Sequence, residues 1–266
     1  MADLYEVKDL HLSLPDLTRK PFLGPAPRIE ILNGVSFTIA KGEILGIVGG
    51  SGSGKSTLGR ALLRLLQPTG GSIHFDGQDI TYLSEDRLRP SRRRFQMIFQ
   101  DPMSSLNPRH RVGKIIAGPL QVQGMDHSPA RVADALDHVG LPRSFAQRYP
   151  HELSGGQRQR IGIARAIALR PEFILADEIV SGLDVSSQAQ VLNLLEGLVK
   201  DLGLTLGFIS HDLSVIRRLC TRVLVLQQGR IVENAPTCQV FAAPSAAYTR
   251  ELLDAIPLPD PDQVWV

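Results

Sequence analysis

Two cysteines, Cys220 and Cys238, in 266 residues are too few for a disulfide framework and cannot by themselves complete a four-ligand zinc site. The expectation is two free thiols in a reducing compartment. The N-terminus, Met1-Ala2-Asp3-Leu4-Tyr5-Glu6, has no basic segment leading into an apolar stretch, so no signal peptide is expected. No apolar run approaches the ~18 residues that a membrane-crossing helix needs. Neither sign of charge is in excess. The 29 Lys and Arg against 27 Asp and Glu leave a net +2, which gives no reason to expect a nucleic-acid scaffold or an acidic partner. Gly and Pro together make up about 16% of the chain, below the roughly 25–30% of low-complexity sequences.

What is present is an ordinary core-forming balance, 43% hydrophobic and 21% charged, in a chain long enough for one large domain or two small ones. Apolar runs alternate with helical patterns, the rhythm of an α/β domain with a largely parallel sheet. Ile44–Val48 reads as a short buried strand, followed by glycines and then a helix over Lys55–Leu66 with Leu58, Leu62 and Leu65 on one face. Phe173–Ala176, Leu206–Ile209 and Val223–Leu226 are further strand candidates, and Val191 to Leu202 a helix closed by Gly203. Before residue 45, Tyr5–Leu14 and Ile31–Ile39 alternate partially, suggesting a small antiparallel sheet. Residues 101 to about 157 carry Pro and Gly breaks and short helices, one starting at Ser128-Pro129, and predict a helical insert. The main unit then spans 1–236. Residues 237–266 are left with one short helix, about Ala246–Ala255, and a tail containing Pro257, Pro259 and Pro261.

The chemistry is concentrated in a few short motifs. Gly49-Gly50-Ser51-Gly52-Ser53-Gly54-Lys55-Ser56 satisfies G-x-x-x-x-G-K-[ST] between a strand and a helix, the context a phosphate-binding loop requires. Its glycines let backbone N–H groups turn inward as a nest, and the helix N-terminus adds positive potential. Lys55 would reach the β- and γ-phosphates and Ser56 a magnesium ion, with Thr57 next in line. Asp177-Glu178 ends an apolar strand. Because neighbours along a strand point to opposite sides, Asp177 would hold Mg²⁺ through water and Glu178 would polarise the attacking water. Leu153-Ser154-Gly155-Gly156-Gln157 precedes a second apolar helix. It reads either as a well-capped helix start or as a second anion site.

The phosphate loop, Gln100, Leu153–Gln157, Asp177-Glu178, Ser181-Gly182-Leu183-Asp184 and His211 occur in an order that resembles the ATP-binding-cassette ATPases over residues 4 to 256. The resemblance implies an α/β P-loop NTPase (RecA-like) core with an N-terminal antiparallel β subdomain and an inserted helical subdomain. It also implies a head-to-tail pair of cassettes, each ATP lying between one phosphate loop and the Ser154, Gly155, Gly156, Gln157 segment of the other. Gln100 would then sense Mg²⁺ and the attacking water, His211 would contact the γ-phosphate and position Glu178, and Asp184 would act across the seam. Phe99–Arg109, Asp184–Leu192, Ile209–Leu213 and Pro244–Thr249 are similar to the peptide and nickel importer branch, although Pro244-Ser245-Ala246-Ala247-Tyr248-Thr249 lacks that branch's His-Pro. That likeness implies ATP and Mg²⁺ as cofactors and a second cassette as partner, a paralogue rather than an identical copy. It further implies two membrane permeases, an extracytoplasmic binding protein indirectly, no nucleic acid, and a place on the cytoplasmic face of the cell membrane.

Three positions depart from the family pattern. The adenine-stacking aromatic falls near Leu14, which has no π-face, so either Tyr5 or Phe22 substitutes or nucleotide affinity is weakened. Ile179 stands for a common Pro and Gly182 for a common Ala, changes expected to act through loop flexibility. Arg87, Arg89, Arg92, Arg93 and Arg94 read as a solvated or salt-bridged face, and His110, His127, His138 and His151 as surface or capping residues. No iron–sulfur centre is implied. The rival class is a non-transport cassette ATPase acting on nucleic acid or ribosomes, against which stand the 122 positions separating Lys55 from Asp177 and the presence of one cassette.

Overall fold

A computed structural model describes residues 2–19, 24–100 and 105–255. Phe22, residues 101–104 of the branch-like stretch and the proline-containing tail lie outside them. Four strands, β1 (Asp3–Pro15), β2 (Arg28–Ala40), β4 (Gly70–Phe75) and β5 (Gln78–Asp79), form an antiparallel sheet in the order β2-β1-β4-β5. The second sheet has the order β10-β9-β3-β8-β7-β6. It comprises β3 (Ile44–Val48), β6 (Phe95–Ile98), β7 (Phe173–Asp177), β8 (Thr205–Ile209), β9 (Arg222–Gln227) and β10 (Arg230–Pro236). All its pairings are parallel except β9 with β10.

The central strands β3, β7 and β8 are buried along their whole length, as parallel strands covered on both faces must be. Their side chains alternate between two cores. Ile44, Val48, Ile174, Ala176, Leu206 and Phe208 join a core shared with the helical insert. Leu45, Ile47, Phe173, Leu175 and Ile209 join the one beneath the antiparallel sheet. Between β6 and β7 lie α3 (Val112–Val122), α4 (Pro129–His138) and α5 (Gly155–Ile167). Among the described residues the other α-helices are α1 (Lys55–Leu62), α2 (Glu85–Leu88), α6 (Val185–Leu202), α7 (Leu213–Leu219), α8 (Thr237–Ala242) and α9 (Ala247–Asp254).

Several expectations are corrected. The first helix stops at Leu62 rather than Leu66 because Arg64 turns into the left-handed region, φ 52°, and leaves Leu65 half exposed. Strands β4, β5 and β6 were not legible: β4 opens on two glycines and β6 follows an arginine run. Among the described residues two helices, not one, follow Pro236, the first pinned by the buried Val240. The arginine run is partly a salt-bridge cluster. Arg92 pairs with Glu85 at 2.8 Å and Arg94 with Glu172 and Asp76, while Arg87, Arg89 and Arg93 are exposed. Cys220 is buried, Cys238 exposed, and both are free.

Candidate functional site

The phosphate loop joins β3 to α1 where the parallel strands end, and three features hold its shape. Gly49 has φ 150°, and a Cβ there would stand 2.2 Å from the Leu226 carbonyl oxygen, so only glycine fits. Gly229, in the β9–β10 turn, donates its N–H to the Ser53 carbonyl at 3.0 Å and accepts from the Asn33 N–H at 2.9 Å. The Gly50 N–H donates to the Tyr248 hydroxyl at 2.7 Å. The loop borders a cavity of about 660 Å³ lined by Ile31, Gly49 through Thr57, Glu178, His211 and Leu252, within the size range of small-molecule sites.

Lys55 is buried and donates from Nζ to the carbonyls of Gly49 and Gly50 at 2.8 and 2.9 Å. Burial lowers its pKa, against the opposing pull of Glu178 and Asp177. Asp177 is also buried, and its carboxyl pKa is raised, first by desolvation and then by the charge of Glu178, with the Ser56 hydrogen bond opposing. The Ser56 hydroxyl donates to Asp177 Oδ1 at 3.1 Å. Two hard oxygen groups side by side, one in a burial that disfavours its charge, fit a magnesium ion. Among the described residues no group of three or more His, Cys, Asp or Glu could hold a metal, so such an ion would depend on phosphate oxygens and water for its remaining ligands.

Glu178 does not reach its place by strand alternation. The strand ends at Asp177, and Glu178 itself adopts φ 50°, so a left-handed backbone re-aims its side chain. The Gln100 amide donates to Glu178 Oε2 at 2.9 Å, and His211 Nδ1 lies 3.5 Å from Oε1. Gln100, Glu178 and His211, 111 positions apart at their extremes, are thus brought together. Ile179 is buried in the core shared with the insert; it anchors this loop rather than loosening it. Gly182 sits at φ 76°, where glycine is unstrained.

The second motif caps α5 reciprocally. The Ser154 hydroxyl accepts from the Gln157 N–H at 3.3 Å, and Gln157 Oε1 accepts from the Ser154 N–H at 3.0 Å, a capping box. Asp184 caps α6 through Ser187, whose bonds hold its carboxyl below the usual range. None of Ser154, Gly155, Gly156, Gln157 and Asp184 lines the phosphate-loop cavity.

Tyr5 cannot stack on adenine. It is fully buried, packed edge-on against Phe75 and Phe173, with its hydroxyl on the Leu62 carbonyl. Among the described residues the cavity wall carries no Phe, Tyr or Trp, and Ile31 and Leu252 are its apolar lining. Sequence reasoning missed Ile31, Leu252 and Gly229. Tyr248 was visible only as part of an unassigned run.

The sequence profile of the ABC transporter family matches residues 32–181. The chain is 55% identical over 237 residues to a Brucella ovis protein designated for peptide import as an ATP-binding protein, covering 88% of this chain and 75% of that one. It is 49% identical over 249 residues to the oligopeptide transport ATP-binding protein OppF of Bacillus subtilis, covering 92% and 82%. Among solved structures, the dimeric ATP-binding cassette MJ0796 in a post-hydrolysis state with ADP and Pi aligns with a TM-score of 0.75 at 29% identity, covering 88% of this chain and 98% of that one.

Proposed function

The chain belongs to the ABC transporter family, and from that premise we propose that it is the ATP-hydrolysing subunit of a peptide importer. The observation that carries this reading is the convergence of Gln100 and His211 on Glu178, with Glu178 and His211 on the wall of the phosphate-loop cavity, beside Ser56 and Asp177. The relatives named above are named for peptides, and neither for nickel, which the sequence left open.

Catalysis in such a site is mostly positioning and charge stabilisation. The loop N–H groups and Lys55 take the phosphates; the Lys55 ammonium has a third N–H beyond the two it gives the Gly49 and Gly50 carbonyls, and the phosphate supplies the counter-charge that its burial withholds. Glu178 orients the attacking water and accepts its proton, held by the Gln100 amide on one oxygen and faced by His211 on the other. Ser56, Asp177 and Gln100 are the residues that would hold a magnesium ion, which would supply positive charge against the phosphate oxygens. Because Ser154–Gln157 and Asp184 lie off this cavity, they serve a partner cassette's nucleotide, and a paralogous cassette is the proposed partner. Residues 1–236 form the cassette in this reading, and 237–266 its C-terminal appendage. Two permeases complete the machine on the inner face of the cell membrane.

The test is the tagged chain purified from membranes with its partners. Peptide-stimulated ATP hydrolysis by the complex is expected, and Glu178→Gln should keep ATP binding while lowering turnover about 10²–10⁴-fold. Near-normal turnover in Glu178→Gln would remove Glu178 as the catalytic residue. Co-purification of DNA or ribosomes instead of permeases would favour the non-transport class.

A further inference from the structure

We propose that Tyr248 is a positioning residue of the phosphate loop: its hydroxyl fixes the Gly49–Gly50 peptide, and through it the resting place of Lys55. The inference rests on the reading of this loop as the nucleotide phosphate site. The Gly50 N–H donates to Tyr248 Oη at 2.7 Å, across 198 positions of sequence. The other end of the same peptide group, the Gly49 carbonyl, accepts from Lys55 Nζ at 2.8 Å. A trans peptide points its C=O and N–H in opposite directions, so anchoring one end aims the other. A peptide flanked by two glycines has little intrinsic preference for one orientation, so the hydrogen bonds at its two ends, to Tyr248 and from Lys55, set it.

Two further observations make the contact a built one. Gly50 is not among the positive-φ residues, so its backbone does not demand glycine, yet a Cβ there would come within 2.9 Å of the Tyr248 hydroxyl. The bare Cα therefore makes room for the hydroxyl. Tyr248 is in turn held in place by its own helix. Glu233 of β10, buried, accepts the N–H groups of Ser245 at 2.9 Å and Ala246 at 3.2 Å, which fixes the entry to α9. The Tyr248 ring and Leu252 pack against the core. This gives the Tyr248 of the Pro244–Thr249 run a role: a helix from the far end of the chain pre-sets the loop for phosphate.

Tyr248→Phe keeps the ring and its packing and removes only the acceptor. Equilibrium titration of the full chain with a fluorescent ATP analogue and Mg²⁺ should show about three- to tenfold weaker binding at an unchanged melting temperature. The Gly50 amide cross-peak should shift and its exchange with solvent quicken. Gly50→Ala should give the same loss, and the double variant no more than either single one, since both break one contact. Wild-type affinity in Tyr248→Phe, an unmoved Gly50 amide, or a loss of affinity that merely follows a fall in melting temperature overturns the proposal. Lys55→Ala separates the two levels of the argument: if it too binds like wild type, the phosphate-loop reading itself fails, and if it alone loses binding, only the role of Tyr248 does.

Discussion

Replacing Asp177 by Asn should move stability and nucleotide binding in opposite directions. Asp177 is 5% exposed at the end of a central strand, and its carboxyl pKa is raised, chiefly by desolvation. Its one hydrogen bond from a side chain, the Ser56 hydroxyl at 3.1 Å on Oδ1, survives in Asn because the amide oxygen still accepts. The substitution therefore removes a buried charge without removing its acceptor. A gain of about 1 kcal/mol is expected without ligand, or roughly 2–4 °C in melting temperature for a chain of this size. The dependence on pH follows from the direction of the shift. The folded state holds this proton more tightly than the unfolded state, so ionisation costs stability as pH rises through and above the ordinary carboxylate range. The advantage of the variant should open over that window and vanish below it. Magnesium-dependent nucleotide affinity should fall about 10–100-fold, the usual loss when a partner that holds a metal through water is removed. Thermal denaturation in EDTA and in MgATP reads both effects. A variant less stable than wild type in EDTA at neutral pH, or one that MgATP stabilises as much as wild type, would refute the reasoning.

Gly229→Ala should cost about 2–3 kcal/mol and weaken nucleotide binding together, because φ is 76° and the new Cβ would stand 2.3 Å from the Ile31 carbonyl oxygen. Gly203→Ala shares the left-handed backbone, φ 64°, but meets nothing within 4 Å, so about 1 kcal/mol is expected; equal losses in urea melts would sink the clash argument. Of the two free thiols, the exposed Cys238 should react with a chromogenic disulfide within seconds to minutes while Cys220 stays protected until unfolding. Burial pushes the Cys220 thiol pKa up, and only the thiolate reacts. Two fast thiols in the native protein would contradict the placement of α7 over β3.

The phosphate loop was legible because its chemistry is local: glycines, Lys55 and Ser56 within one turn are at once the sequence signal and the site. The capping box at Ser154 and Gln157 was legible for the same reason, since both partners lie three residues apart. Asp177 was placed correctly at a strand end. Glu178 was assigned its task on a geometric argument that does not hold, because its backbone is left-handed and not extended. Tyr5 was open as an adenine partner until burial removed it, and no periodicity in an alternating strand says which face lies inward. Strand β4 was hidden because its two glycines read as loop.

Residue order alone determined which groups this protein possesses: an anion-binding loop, an acidic pair after a strand, a capped helix start, and a Gln and a His spaced far along the chain. Tertiary structure decided which of them meet. The parallel order β3-β8-β7 sets the ends of three strands side by side, and so brings the phosphate loop, His211 and Asp177-Glu178 to one edge. It also delivers two contacts that no local pattern encodes, Gly229 on Ser53 and Tyr248 on Gly50. A hydrogen bond between residues nearly two hundred positions apart depends on how whole layers stack. The sequence dictates that stacking only through the summed burial of its two cores.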